Sequence, residues 1–291
     1  MIEAKVIADS EIDGQRITTV EVTMHRYVLA ELNTHRVFSR NSASSRAIPI
    51  AKQLKRVKTD TAWPVEWGSN QSGMQAGEPL VGFKAWRAKR AWTKARNAAV
   101  RQAKKLEKIG VHKQVTNRLL EPFMWHTIII TSTEWENFFS QRCSPLAQPE
   151  IRVAAEAIRD AIRASTPQAT DVHLPYLQPD EHKLPLAVKI KICAARCARV
   201  SYLTHDGVRD LKKDLKLFTR LTTAEPPHWS PLEHVAIYSH PGFNIDGTLP
   251  GTTVPVALLD TYSGNFSSAW GQLRHNLHVV NLIEESEKAL V

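Results

Sequence analysis

Cysteine is scarce: Cys143, Cys193 and Cys197 are the only three in 291 residues, too few for a disulfide framework. Cys193 and Cys197 lack the second cysteine or histidine pair that would complete a zinc site, so all three read as reduced thiols. Long apolar runs are missing too. No stretch approaches the roughly 20 residues needed to span a bilayer, and residues 1–10 lack the basic, then apolar, start of a secretory signal. The expectation is a soluble, cytoplasmic protein without a membrane partner. Acidic residues fall short of basic ones, 29 against 38, which leaves a net charge of +9 and favours anionic partners. Nucleic acids, membrane surfaces, nucleotides and polyglutamylated cofactors all answer that description, so charge does not choose among them. Internal repeats and low-complexity tracts are absent.

What is present suits a packed core, since 43% of the residues are hydrophobic. Residues 5–8 and 17–24 read as strands joined by a turn at Asp13-Gly14, followed by a short helical stretch over 26–32. Residues 60–80, with Gly68, Gly73, Gly77, Pro64 and Pro79, read as a loop. Residues 84–108 carry ten Lys or Arg against the single acid Glu107. Ala85, Ala88, Trp92, Ala95, Ala99, Leu106 and Ile109 recur near helical spacing there, which predicts a long amphipathic helix with a basic outer face and Gly110 as its C-cap. A solvated face is the expected role, because no nucleic-acid motif accompanies it. Residues 115–120 read as helix, 125–131 as a β-branched strand, and 150–164 as an Ala-rich helix ended by Ser165-Thr166-Pro167. Prolines at 167, 175, 179 and 185 make 166–186 the best candidate loop or linker within one domain spanning 1–291.

Residues 35–46, His-Arg-Val-Phe-Ser-Arg-Asn-Ser-Ala-Ser-Ser-Arg, hold three arginines, one histidine, four serines and an asparagine, with almost nothing suited to a core. Guanidinium forks, hydroxyls and loop amides together can cradle phosphate without a glycine-rich loop. Composition alone leaves this reading and that of a polar surface loop equally open. The pattern His-Arg-x-x-Ser-x-Asn-x-x-Ser-x-Arg, however, resembles the signature of flavin-dependent thymidylate synthases. Two further segments resemble that family: Gly110-Val111 with Arg118-Leu-Leu-Glu-Pro122, and Asn137-Phe-Phe-Ser-Gln-Arg142 with Ala147-Gln148 and Glu150-Ile151. Ala198-Arg-Val-Ser-Tyr202 and His228-Trp-Ser-Pro-Leu-Glu-His234 look like its flavin-site segments, although in the family they precede the His-Arg motif and here they follow it.

The resemblance implies an α+β fold, an antiparallel sheet flanked by helices, and a homotetramer whose sites lie between subunits. It implies a reaction: a methylene passes from 5,10-methylenetetrahydrofolate to C5 of dUMP and is reduced by FADH2 regenerated by NADPH. His35, Arg36, Asn41, Ser132, Asn137, Ser201, His228, Ser230 and Glu233 would contact the FAD. Glu31, Ser42, Ser44, Ser45, Arg46, Arg118 and Arg142 would bind the nucleotide, with Ser44 and Arg142 as the catalytic pair. Thr34 stands where the family usually has arginine, Ser42 where it has glutamate, and Glu31 where it commonly has glutamine. Arg40 or the segment 270–274 can replace the lost cation. Those differences leave dCMP open as substrate and a hydroxymethyl group open as product.

Other readings remain at this point. Without the resemblance, Arg142 would be a structural ion-pair partner, for instance of Glu150. Gln141-Arg-Cys-Ser144 superficially matches a thiol-dependent synthase, but Cys143 lacks the histidine usual there. His228 and His234 lack a third metal ligand at a fitting spacing, so no metal is expected. A basic nucleic-acid-binding module, or a homologue that binds nucleotide without catalysis, completes the set.

Overall fold

In a computed structural model the described residues are 1–205, 209–239, 248–249, 253–254, 264–267 and 269–289. The elements run β1 (Glu3–Ile12), β2 (Gln15–His25), α1 (Leu29–Asn33), β3 (Ser39–Ser42), α2 (Ile50–Thr59), α3 (Gly82–Ile109) and α4 (Lys113–Thr116). They continue with β4 (Trp125–Ser132), α5 (Glu136–Arg142), α6 (Pro149–Ala164), β5 (Gln168–Ala169), β6 (Val172–His173), α7 (Leu186–Arg199) and α8 (Leu211–Thr222). Strands β7 (Ala236–Tyr238) and β8 (Trp270–Gln272) and helix α9 (Leu277–Ala289) complete the order.

Five strands form the main sheet in the order β3-β4-β2-β1-β5, antiparallel except for the parallel pair β1/β5. Alternation along the strands gives that sheet two unlike faces. Val20, Val22, Met24, Ile128 and Ile130 pack on Ile151, Ala154, Ala155 and Ile158 of α6, with Phe38, Trp135 and Phe138 at the margin. The opposite face is polar though buried: Thr19 meets Thr131 at 2.6 Å, His173 at 2.7 Å joins Thr19, and His234 Nδ1 lies 2.8 Å from Thr131. Behind this face, α7, α8 and α9 pack around the second sheet, β6-β7-β8.

The proline-rich segment 166–186 holds β5, β6 and the 3-10 turn Pro179–Glu181 and packs closely, with Val172 and His173 buried. The seam of α3 also differs from the apolar stripe read in the sequence. Val100 and Ala103 are its buried residues and Trp92 and Ala99 pack beside them, whereas Ile109 is exposed. From Trp92 onward that helix finds a partner surface, chiefly α2, α4 and the 3-10 turn Asn117–Phe123. Its first half carries Phe83 stacked on Trp86, both exposed, with Arg87 and Arg90 over their rings. Gly110 ends α3 at φ 87°, a left-handed C-cap that a side chain would strain. Among the described residues no helix is long and apolar enough to cross a membrane.

Candidate active site

Strand β3 carries the middle of the polar segment, so its side chains alternate. Ser39 and Asn41 are buried, and Arg40 and Ser42 take the other face. Asn41 gathers three parts of the chain: its Nδ2 donates to the Cys197 carbonyl at 2.7 Å, and its Oδ1 accepts from Ser201 Oγ at 3.3 Å and Ser230 Oγ at 3.2 Å. The strand ends where Ala43 N donates to the Thr127 carbonyl at 2.9 Å, and the chain then turns through Ser44. Three contacts fix that turn: Ser44 N donates to Ser201 O at 3.0 Å, and Asn117 Nδ2 donates to Ser45 O at 2.9 Å and to Ile48 O at 3.0 Å. Buried amides thus shape the loop and leave Arg46 exposed, while Ser45 is buried.

Above the loop opens a cleft of about 860 Å³. Asn41, Ser42, Ser44, Ser45, Arg46, Arg118, Ser201, His228 and Ser230 all line it, though the chain positions span almost 190 residues. Six cations line it, Arg26, Arg40, Arg46, Lys113, Arg118 and Arg220, and no carboxylate does among the described residues. Such a surface selects anions. Arg40 also ties the cleft to α1, donating to the His35 carbonyl at 3.2 Å and the Leu32 carbonyl at 3.4 Å. Arg274, the other candidate for the missing cation, is held by Glu233 at 2.6 Å over the Trp229 ring and does not line the cleft. His126 also lines it; burial, reinforced by Arg26 and Arg56, pushes its pKa down to about 3 and keeps the ring neutral.

The remaining residues implied by the resemblance lie elsewhere. Arg142 leaves the end of α5 and donates through Nε to His35 Nε2 at 3.0 Å, and through Nη2 to Thr34 Oγ1 at 2.9 Å and to the Glu31 carbonyl at 3.3 Å. An acceptor role at Nε2 puts the His35 proton on Nδ1. Burial, then the Arg142 and Arg40 charges, lowers the pKa of this imidazole. Thr34, where the resemblance leads one to expect arginine, is thus a direct partner of Arg142. Arg36 and Asn137 are exposed and do not line the cleft. Ser132 is buried, its Oγ donating to the Glu134 carbonyl at 2.9 Å, and Glu233 holds Arg274. Within one chain His35 and Arg142 thus form a cluster outside the cleft lining, and Arg36, Asn137, Ser132 and Glu233 join neither.

Two alternatives lose support, the first on geometry. Glu150 accepts from Val65 N at 2.9 Å and Gln148 Nε2 at 2.9 Å, so it is not the partner of Arg142. Burial raises the pKa of the Cys143 thiol, the opposite of what a nucleophilic thiolate needs. Among the described residues no group of three or more His, Cys, Asp or Glu is placed to hold a metal ion. Arg26, Lys113, Arg220 and His126 were not singled out by the sequence. Each sits in an ordinary helical or strand pattern, and only tertiary contacts bring it to the cleft.

Residues 15–168, just over half of the chain, match the family model of thymidylate synthase complementing proteins, Thy1, and the chain belongs to that family, whose members are in general flavin-dependent. The match takes in the polar segment, Arg118 and Arg142 and ends before Ser201 and His228, which the fold returns to the same cleft. Among solved structures the chain is similar to the UMP/dUMP methylase PolB from Streptomyces cacaoi bound with 5-Br dUMP, at 17% identity and a TM-score of 0.40. The alignment covers 50% of this chain and 66% of that one, slightly less than two thirds. No curated protein matches the sequence.

Proposed function

We propose that the protein is a flavin-dependent thymidylate synthase that moves a methylene unit from 5,10-methylenetetrahydrofolate to C5 of dUMP and reduces it to give dTMP. The observation that carries this reading is the convergence of Asn41–Arg46 with Arg118, Ser201, His228 and Ser230 on one cationic cleft. Its 860 Å³ lies toward the upper end of the roughly 300–1,000 Å³ usual for small-molecule sites, room for a phosphorylated cofactor and substrate together.

FAD fits the donor set: Ser201, Ser230 and His228 would offer hydroxyl and imidazole contacts, and Arg40 and Arg220 would supply cations for its phosphates. When bound it supplies the reducing equivalents, regenerated by NADPH. Ser44, Ser45, Arg46 and Arg118 take the nucleotide, the arginines as forks on phosphate oxygens. Arg142 serves the pyrimidine ring. A fixed cation at its O2 and N3 edge stabilises negative charge there and enriches C5 as a nucleophile. Because Arg142 stands with His35 outside its own cleft, the reading includes a homotetramer in which a neighbouring protomer contributes the His35–Arg142 cluster.

The test is incubation of FAD-loaded protein with dUMP or dCMP, methylenetetrahydrofolate and NADPH, followed by mass spectrometry of the nucleotide. A methylated dUMP is expected. A hydroxymethylated product or a modified dCMP would revise the chemistry but keep the site. Unaltered nucleotides together with no binding of FAD on titration would sink it. The exposed Phe83–Trp86 pair flanked by Arg87 and Arg90 favours a second reading, nucleic-acid binding, which requires a steep salt dependence and no affinity for FAD or dUMP.

A further inference from the structure

Three donors of the cleft end on one anion of the chain itself. Ser45 Oγ donates to Glu121 Oε1 at 2.8 Å, Arg118 Nη1 donates to the same oxygen at 2.7 Å, and Arg26 Nη2 reaches it at 3.4 Å. Ser45, Arg118 and Arg26 line the cleft, whereas Glu121 stands behind them. A hydroxyl and two guanidinium groups converging on one point form a donor set suited to phosphate oxygens. Here a carboxylate meets it. The Arg118 side chain is 52% exposed, so solvent screens its pair with Glu121, which yields readily to a stronger anion. A phosphate monoester near neutral pH carries about −1.5 to −2 charges and offers separate oxygens to the three donors.

We propose that Glu121 is an internal stand-in for a ligand phosphate. It keeps the three donors gathered in the free protein and releases them to an incoming phosphate, while its own negative charge stays nearby and opposes weaker anions. The site therefore favours a dianionic phosphate over a carboxylate. This inference rests on the phosphate-binding reading of the cleft and names the donors and the selecting residue.

Glu121→Gln keeps an amide oxygen for Ser45 and removes the charge. Calorimetric titration with dUMP, deoxyuridine and inorganic pyrophosphate should show dUMP and pyrophosphate binding about tenfold tighter to Glu121→Gln than to the original protein, equivalent to about 1.4 kcal/mol. Deoxyuridine binding should not change. Glu121→Asp, which draws the charge back by one methylene, should give a smaller gain in the same direction, so the result does not hang on the folding of one variant. Unchanged or weaker anion binding in both variants overturns the proposal and makes Glu121 a scaffold, as does failure of both anions to bind any form. If pyrophosphate tightens but dUMP binds no form, the nucleotide reading falls and the role of Glu121 stands. If dUMP binds all forms equally, the reverse holds.

Discussion

Asn41 shows how one side chain can both line a site and hold its parts together. It is 7% exposed, and its amide is used at both ends, on the Cys197 carbonyl of α7 and on the hydroxyls of Ser201 and Ser230. Asn41→Ala leaves the Cys197 carbonyl buried without its donor, a loss of about 1–3 kcal/mol. A lower urea midpoint is expected, together with weaker FAD binding, because both serines lose the acceptor that aims them. Asn41→Asp keeps an acceptor for the serines but sets an anion against the Cys197 carbonyl, so it should destabilise at least as much. Equal midpoints for all three proteins would show that this hub contributes nothing. The hub was readable in part: Asn41, Ser201 and Ser230 were each expected at the site. That they hold one another was not, because the partners lie 160 and 189 residues apart.

At the scale of elements, α7 and α8 wall one side of the cleft, and a buried charge cluster joins them. Arg196 donates to Glu181 at 2.6 and 2.7 Å and to Asp214 at 3.1 Å, while Arg199 reaches the other Asp214 oxygen at 2.8 Å. Removing one partner strands buried charge, so Arg196→Met should lower stability by about 3–5 kcal/mol. The Arg196 guanidinium holds the Glu181 carboxyl down to about 2, below its ordinary 4.5. A depressed folded-state pKa means this contribution is complete above pH 4.5 and is lost as pH falls toward 2, so Glu181→Gln should flatten that part of the stability profile. Sequence reading located β1, β2, β4, α3 and α6 because their patterns are local and periodic. It read 166–186 as a loop because β5 and β6 are two residues each, and their pairing with β1 and β7 is set by distant strands. The proposed partner for Arg142 failed for a related reason. Glu150 is claimed by the backbone of the loop at Val65, which no spacing rule announces.

At the scale of the whole molecule, three of the described imidazoles, His126, His173 and His234, each have a pKa pushed down to about 3, chiefly by burial. Their unfolded value is near 6.5, so between pH 6.5 and 3 the unfolded chain binds more protons and stability rises with pH. Acid unfolding should therefore begin below about pH 6.5, ahead of the carboxylate range, and denaturant midpoints across pH 4–7 would test it; flat midpoints there would contradict the burial of these rings. Assembly poses the last question, because Arg142 does not line the cationic cleft of its own chain. If each active site joins the cleft of one protomer to Arg142 of another, two differently damaged chains can repair each other. Arg142→Ala and Arg118→Ala should each be inactive alone. Coexpressed with different tags and purified as mixed oligomers, they should recover activity in about a quarter of the sites, those that combine an intact cleft with an intact Arg142, as random mixing in a symmetric oligomer requires. Activity no greater than the two single variants would mean that no site combines residues from two chains, and Arg142 would then lose its assigned place at the pyrimidine ring.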